Sequence, residues 1–324
     1  MREPLVVMKQ ILLSCDTEVG ELAQDLDEAF ALFVLGKIDG ERVGVPLINA
    51  IAAEYGAVVN HFVDVYHPSH EKNFAALCEQ ILTDGHFVGL HTHPGSRFGR
   101  RYMYEYDEDE QMEILTWGKE WLFKHLGLDV KTHRAGGYGA DERTCAALRA
   151  TGFVQDSSFF YQAKECRLDY PFINKVSLHN SVWEFPVTVY REQRLFLGQE
   201  RKPQYKKLDF RYGSDAATII DVVRRSPDNS TSVLFLHSFN FLTGYYKKRE
   251  KKFSDIGINR KLIEEYRTLL AGLKKIEDLV FTDFSRVVVD AVLPEVVDDV
   301  KREISICQVL QNRWQTHVLG KVAF

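Results

Sequence analysis

The chain has 324 residues, of which 45% are hydrophobic, and its formal net charge at pH 7 is −5. This length suits one large domain or two small ones, and the weakly acidic balance gives no indication of nucleic acid as a partner. No apolar run approaches the roughly 18 residues of a membrane span, and the N-terminus lacks the pattern of an export signal, so we expect a cytoplasmic protein. Five scattered cysteines indicate neither a disulfide framework nor a zinc knuckle.

Short apolar runs alternate with segments of helical periodicity along the chain. The predicted strands are residues 11–15, 58–63, 86–91, 130–134, 153–156, 183–189, 232–237 and 279–282. The predicted helices are residues 46–56, 70–84, 107–127, 141–150, 214–225 and 259–276. Residues 161–182, 191–212 and 239–258 show little pattern, and we expect them to form substrate loops at one face.

About seven alternations of strand and helix favour a parallel sheet with crossover helices. We therefore predict an α/β fold, a distorted (β/α) barrel of about seven strands, with an open doubly wound sheet as the second choice. The barrel would occupy residues 9–289. Residues 290–324 are predicted to be a C-terminal helical extension, packed on the barrel or on a partner subunit in a homo-oligomer.

The sequence Gly89-Leu90-His91-Thr92-His93-Pro94 closes one of the predicted buried strands. Residues i and i+2 of a strand share a face, so His91 and His93 would lie about 6–7 Å apart on the same side. Pro94 ends the strand, which places both imidazoles where a loop begins. Two histidines in this arrangement indicate a metal site, although the motif alone is a weak signal.

Other predicted strands also end in ionisable residues: Asp16 and Glu18, Arg134, and His237. In a β/α barrel the carboxyl ends of the strands surround one mouth, where the chemistry takes place. Two histidines and one carboxylate form a suitable ligand set for zinc that leaves one position for water. A second carboxylate could accept a proton and a separate histidine could protonate a leaving group, a set sufficient for amide hydrolysis.

The order of these motifs resembles the polysaccharide deacetylase (NodB-homology) family of metal-dependent carbohydrate esterases. The matching segments are Ser14-Cys15-Asp16-Thr17-Glu18, Gly89-Leu90-His91-Thr92-His93-Pro94, Arg134-Ala135-Gly136-Gly137-Tyr138-Gly139 and Leu234-Phe235-Leu236-His237. The resemblance spans roughly residues 9–285 and implies the family's barrel fold. It also implies deacetylation of an acetylated amino sugar or glycan by means of a divalent metal, with Zn²⁺ expected.

The resemblance also implies roles for individual residues. Glu18, His91 and His93 would bind the metal, Asp16 would act as catalytic base and His237 as general acid. Arg134 would orient the base, and the backbone N–H of Tyr138 would help to hold the oxyanion.

Two motifs depart from the common family pattern. The family usually has adjacent aspartates in its first motif, so the roles of Asp16 and Glu18 could be exchanged. It usually spaces the metal histidines at i and i+4, whereas position 95 is Gly, so either His93 replaces the missing ligand or the third ligand is absent.

Because we expect a cytoplasmic location, we expect a small or carrier-linked substrate, such as a precursor of a surface polysaccharide. Two alternatives remain open at this point. One is a non-sugar C–N amide hydrolase on the same fold. The other is a catalytically inactive, glycan-binding protein.

Overall fold

The fold is that of a computed structural model, which describes residues 8–20, 28–196, 199–200, 202–209, 211, 214–247, 252–289, 299–303 and 321–323. The strands are β1 (Lys9–Thr17), β2 (Lys37–Ile38), β3 (Glu41–Arg42), β4 (Val59–Asp64), β5 (Phe87–Thr92), β6 (Thr132–Ala135), β7 (Gln155–Asp156), β8 (Ser177–His179), β9 (Val182–Glu184), β10 (Val189–Phe196), β11 (Gln199–Glu200), β12 (Gln204–Lys207), β13 (Thr231–His237), β14 (Leu242–Lys247), β15 (Lys252–Ile258), β16 (Leu279–Phe281), β17 (Asp299–Glu303) and β18 (Lys321–Ala323). The helices are α1 (Val45–Glu54), α2 (Glu71–Thr83), α3 (Gly95–Phe98), α4 (Glu108–Leu126), α5 (Glu142–Ala150), α6 (Ala216–Arg225) and α7 (Arg260–Leu273).

The main sheet has the strand order β13–β1–β4–β5–β6–β7–β9–β8, and β16 pairs with the start of β1. All its pairings are parallel except that of β8 with β9. The sheet curls, and the segment that follows β9 reaches β13 at the opposite end, where Thr188 Oγ1 accepts a hydrogen bond from the Val233 backbone N–H (2.8 Å). The predicted distorted (β/α) barrel is confirmed.

The period-2 alternation of strand side chains divides the sheet into an outer and an inner face. On the inner face, Leu12, Phe62 and Val233 share one apolar cluster. Further along the same strands, Asp16 and His237 occupy the carboxyl ends of β1 and β13, where their Cα atoms are register partners. The inner face therefore changes from apolar to ionisable towards one mouth of the barrel.

Helix α4 shows how local sequence sets the ends of the crossover helices. Asp107 Oδ1 accepts a hydrogen bond from the Glu110 backbone N–H (2.9 Å), and Glu110 Oε2 accepts one from the Asp107 N–H (3.0 Å). This capping box satisfies two backbone donors at the helix start. Gly127, with φ of 66°, ends the helix in the left-handed conformation that glycine adopts at little cost.

Several regions differ from the sequence-based expectation. The predicted strand 183–189 is divided between β9 and β10, because Pro186 lies between them and cannot donate a ladder hydrogen bond. Three segments were expected to be loops but contain strands: 161–182 contains β8, 191–212 contains the antiparallel pair β10–β12, and 239–258 contains the antiparallel pair β14–β15.

The predicted helical extension, residues 290–324, falls mostly outside the described residues. Its two described parts are strands instead of helix: β17 pairs with β10, and β18 pairs with β14. The expectation of helix is therefore wrong for these parts, and the domain division at residue 289 stays a prediction. Among the described residues, no helix has the length and apolarity required to cross a lipid bilayer.

Candidate functional site

A cavity of about 280 Å³ opens at the carboxyl ends of β1, β5 and β13. Its ionisable lining residues are Asp16, Glu18, His91, His93, Arg101, Tyr138, Lys207 and His237, and the phenylalanines are Phe33, Phe235, Phe239 and Phe253. Of the seven predicted site residues, only Arg134 does not line the cavity. It lies behind Asp16, so the structure brings the whole predicted set together.

Glu18, His91 and His93 place one ligand atom each within 4.8 Å of one another. Glu18 Oε2 lies 2.6 Å from His93 Nε2 and 3.5 Å from His91 Nε2. His91 lies near the end of β5 and His93 directly after it, and the centroids of the two rings are 4.8 Å apart. Nδ1 of His91 lies 2.9 Å from the Arg134 carbonyl oxygen, a contact that places a ring proton on Nδ1 and turns Nε2 towards Glu18.

These three side chains fit a divalent metal by the chemistry of their donors. The His93 and His91 imidazoles outweigh the effect of burial, which alone would raise the pKa of Glu18, and hold that pKa well below its ordinary value. The carboxylate is therefore ionised at neutral pH. One anionic oxygen and two imidazole nitrogens are a common zinc ligand set.

Arg134 fixes the carboxylate of Asp16 from behind. Its Nη1 donates to Asp16 Oδ1 over 2.7 Å, while Nε and Nη2 donate to the backbone and side-chain oxygens of Ser157. The guanidinium carbon lies 4.1 Å from the ring centroid of Phe62 and 5.3 Å from that of Phe235. These contacts hold the fully buried guanidinium in one orientation, and its hydrogen bond fixes the orientation of the Asp16 carboxylate.

The pKa values of Asp16 and His237 both lie below their ordinary values, for different reasons. Burial alone would raise the pKa of Asp16, but His91, Arg134 and His237 together hold it below its ordinary value. Burial lowers the pKa of His237 to about 4, and the positive charge of Lys207 adds to the effect. Near pH 7 Asp16 is therefore a carboxylate and His237 a neutral imidazole.

Tyr138 forms part of the cavity wall in a left-handed backbone conformation, with φ of 61°, directly after Gly137 with φ of 56°. Its hydroxyl accepts a hydrogen bond from Lys207 Nζ over 3.2 Å. Its ring packs against that of Phe160, with the centroids 4.9 Å apart. These contacts hold a backbone geometry that is unfavourable for a bulky residue.

Three ionisable residues at the site, Arg101, Lys207 and Asp64, were missed from the sequence. Lys207 belongs to a short basic segment of the kind that is usually solvated, yet its Nζ lies 3.2 Å from Asp209 Oδ2 and 3.7 Å from the ring centroid of Phe235. Asp64 ends β4 beside His91, and burial raises its pKa to about 6. Asp64 directly follows a predicted strand, so the strand-end argument could have found it, whereas nothing in the sequence singled out Lys207.

Two solved structures share this fold. A protein from Mycobacterium smegmatis assigned as a polysaccharide deacetylase is 19% identical, with a TM-score of 0.54 over 88% of this chain and 91% of that one. The 4-alpha-glucanotransferase of Thermococcus litoralis is 11% identical, with a TM-score of 0.54 over 91% of this chain and 42% of that one. No family model and no curated protein sequence matches the chain.

These two structures are named for different reactions. The likeness therefore establishes the fold alone, and the reaction has to be inferred from the site residues. The order of the sequence motifs predicts the same architecture independently of this likeness. The chain has the (β/α) barrel fold of the polysaccharide deacetylases.

Proposed function

We propose that the chain is a metal-dependent hydrolase that removes an acetyl group from an N-acylated amino sugar. The observation that carries the proposal is the convergence of Glu18, His91 and His93 with Asp16 and His237 in one cavity. Paired acids and bases with pKa values shifted by a shared pocket are characteristic of catalytic sites. The fold shared with a protein assigned as a deacetylase supports the same conclusion.

Glu18, His91 and His93 would hold the ion, with Zn²⁺ expected. When bound, the metal supplies a Lewis acid that polarises the acyl oxygen and makes water a better nucleophile at neutral pH. Asp16 is the better candidate for the base, because Arg134 already occupies its Oδ1 and it lies outside the group whose ligand atoms come within 4.8 Å.

Asp16, ionised at neutral pH, would accept a proton as the water oxygen forms its bond to the acetamide carbon. The Tyr138 backbone N–H would stabilise the negative charge that develops on the acyl oxygen. His237 would donate a proton to the sugar nitrogen as the C–N bond breaks, which releases acetate and a free amine. Since His237 is neutral in the empty pocket, it must be protonated once substrate is bound, and the proton taken by Asp16 replaces the one donated.

The size and lining of the cavity support a small acylated ring as the group that enters it. A volume of about 280 Å³, bounded by Phe33, Phe239 and Phe253, provides apolar faces beside the ionisable cluster. A precursor or intermediate in surface polysaccharide biosynthesis, handled in the cytoplasm, is the substrate that we propose.

Acetate release from a panel of N-acetylated amino sugars, nucleotide sugars and short glycans tests this function. Zinc-loaded protein should release acetate and free amine in equal amounts, and Asp16→Asn should reduce turnover at least about 100-fold, as expected for loss of a general base. A surface variant, Lys124→Gln, is the matched control. Release from cyclic amides alone would favour a non-sugar C–N hydrolase. Glycan binding without release from any substrate would favour an inactive, glycan-binding protein.

A further inference from the structure

A second group of potential metal ligands lies outside the catalytic cavity, between helix α5 and strand β8. Glu142 and Cys145 are one turn apart on α5, and His179 ends β8 opposite them. One ligand atom from each of the three lies within 4.8 Å of the other two. We propose that Glu142, Cys145 and His179 form a second metal site that binds Zn²⁺ or a similar transition metal ion.

The donor chemistry of this group is typical of a transition metal site. A thiolate, an imidazole and a carboxylate together exclude calcium and magnesium, which prefer oxygen ligands, and favour zinc. The side chain of Glu142 is 43% exposed and that of His179 is 16% exposed, so an ion can enter from solvent and retain a water ligand.

The groups around the cluster hold its oxygen and nitrogen donors in place. Glu142 Oε1 accepts a hydrogen bond from the Asp169 backbone N–H (2.8 Å), and Oε2 accepts one from Asn180 Nδ2 (2.6 Å). His179 Nε2 lies 3.1 Å from both carboxylate oxygens, and its ring packs edge-on to Tyr170. Metal-binding carboxylates commonly have such outer hydrogen bonds, which orient them towards the ion.

Metal binding would change the protonation state of the Cys145 thiol. Its side chain is buried, and burial and then the nearby acidic residues raise the pKa of its thiol above the ordinary value. Without a metal it is a neutral thiol beside the contact between Glu142 and His179. A bound cation would favour the thiolate and take the place of the contact between His179 Nε2 and the Glu142 carboxylate.

The site would stabilise one edge of the sheet. Among the described residues, strand β8 pairs only with β9 in the main sheet, and the turn between them contains two residues with positive φ, Asn180 (48°) and Ser181 (71°). An ion bound to His179 and to two residues of α5 would attach this hairpin to the helix. Because these ligands do not line the catalytic cavity, we infer a structural role.

Zinc content of the full chain after loading and dialysis tests the proposal. Wild type should retain two ions per chain, Cys145→Ala/His179→Gln one, and His91→Gln/His93→Gln one. Cys78→Ala removes another buried thiol and should retain two. Retention of the same number of ions by wild type and by Cys145→Ala/His179→Gln would overturn the proposal and leave an ordinary polar contact between Glu142 and His179.

Cobalt substitution gives a second readout that does not depend on catalysis. The catalytic set has no sulfur ligand, so a thiolate-to-cobalt absorption band in the His91→Gln/His93→Gln protein would come from Cys145. We expect this band there and its loss on adding Cys145→Ala. If the Cys145 variants fail to fold, the band is sought in His91→Gln/His93→Gln alone, where its absence refutes the site. Absence of the proposed catalytic metal site would give a different result: wild type and His91→Gln/His93→Gln would then retain the same number of ions.

Discussion

At the scale of single residues, Arg134 pairs with one of two carboxylates that are only two positions apart. It binds Asp16 Oδ1 from behind, while Glu18 faces the two imidazoles. The sequence predicted that both acids and both histidines would meet. The family resemblance implied that Arg134 would pair with Asp16, and the structure has this contact. The sequence left open an exchange of roles with Glu18, because the choice depends on the inner face of β1 and on the packing of Arg134 between Phe62 and Phe235.

Replacement of Arg134 by Met should raise the pKa of Asp16, because one of the charges that lower it is removed while the carboxylate stays buried. The acid limb of the pH profile of kcat/KM should therefore move to higher pH. Stability should fall by about 3–5 kcal/mol, the usual cost of removing one partner of a buried ion pair. Arg134→Lys, which keeps the charge, should shift the limb less; an unchanged limb in Arg134→Met would argue against Asp16 as the base.

Gly136 gives a second test at this scale, because His93 packs directly over it. A Cβ at position 136 would lie 2.5–2.6 Å from three atoms of the His93 ring. Gly136→Ala should displace this imidazole and weaken zinc binding at least about 10-fold, as measured by competition with a chelator. In the control variant, Gly139→Ala, the new Cβ meets the ring of Tyr102 instead, so zinc affinity should change little. Equal losses in both variants would indicate general distortion.

At the scale of elements, periodicity predicted most of the parallel strands and the long crossover helices well. These segments bury one or both of their faces, so each has a clear hydrophobic periodicity in its own sequence. Strands β10, β12, β14 and β15 were missed because their hairpins are polar and only partly buried, which leaves little alternation to detect. Their pairing depends on partners distant in sequence, such as β17 and β18.

Gly118 tests the packing of helix α4 on the sheet. Alanine normally stabilises a helix interior by about 1 kcal/mol relative to glycine. At position 118, however, a Cβ would lie 2.4 Å from Tyr66 Oη and 2.8 Å from Leu90 Cδ1. Tyr66 is buried and donates to the Ile114 carbonyl, so it cannot move freely.

Gly118→Ala should therefore destabilise the protein by about 1–3 kcal/mol, the range for overpacking a core. Denaturant unfolding measures the change. Thr116→Ala, an exposed substitution on the same helix, should be neutral or slightly stabilising. A stabilised Gly118→Ala protein would show that α4 packs less closely than the structure indicates.

At the scale of the whole molecule, the acid stability of the fold should depend on His61. Its Nδ1 accepts from Thr17 Oγ1 and its Nε2 donates to Asn49 Oδ1, both over 2.8 Å. Burial, with a smaller effect of His86, lowers its pKa to about 3. The folded state thus binds fewer protons than the unfolded state between about pH 3 and the ordinary histidine pKa near 6.5, and stability falls as pH falls through this window.

The shift corresponds to a loss on the order of 5 kcal/mol across the window. His61→Gln should have lower stability at pH 7 but a flatter pH dependence between pH 6.5 and 4, as measured by denaturant unfolding. His125→Gln, at an exposed position near the end of α4, is the control and should keep the wild-type slope. If stability in His61→Gln depended on pH as steeply as in the wild type, other groups would be responsible for the acid sensitivity.

Anomalous diffraction from zinc-loaded crystals of the full chain tests the central claim most directly. We expect an ion bonded to Glu18 Oε2, His91 Nε2 and His93 Nε2 at zinc–ligand distances of about 2.0–2.2 Å, with Asp16 outside bonding distance and still held by Arg134. An ion bonded to Asp16 in place of Glu18, or no ion among these residues, would contradict the proposed site.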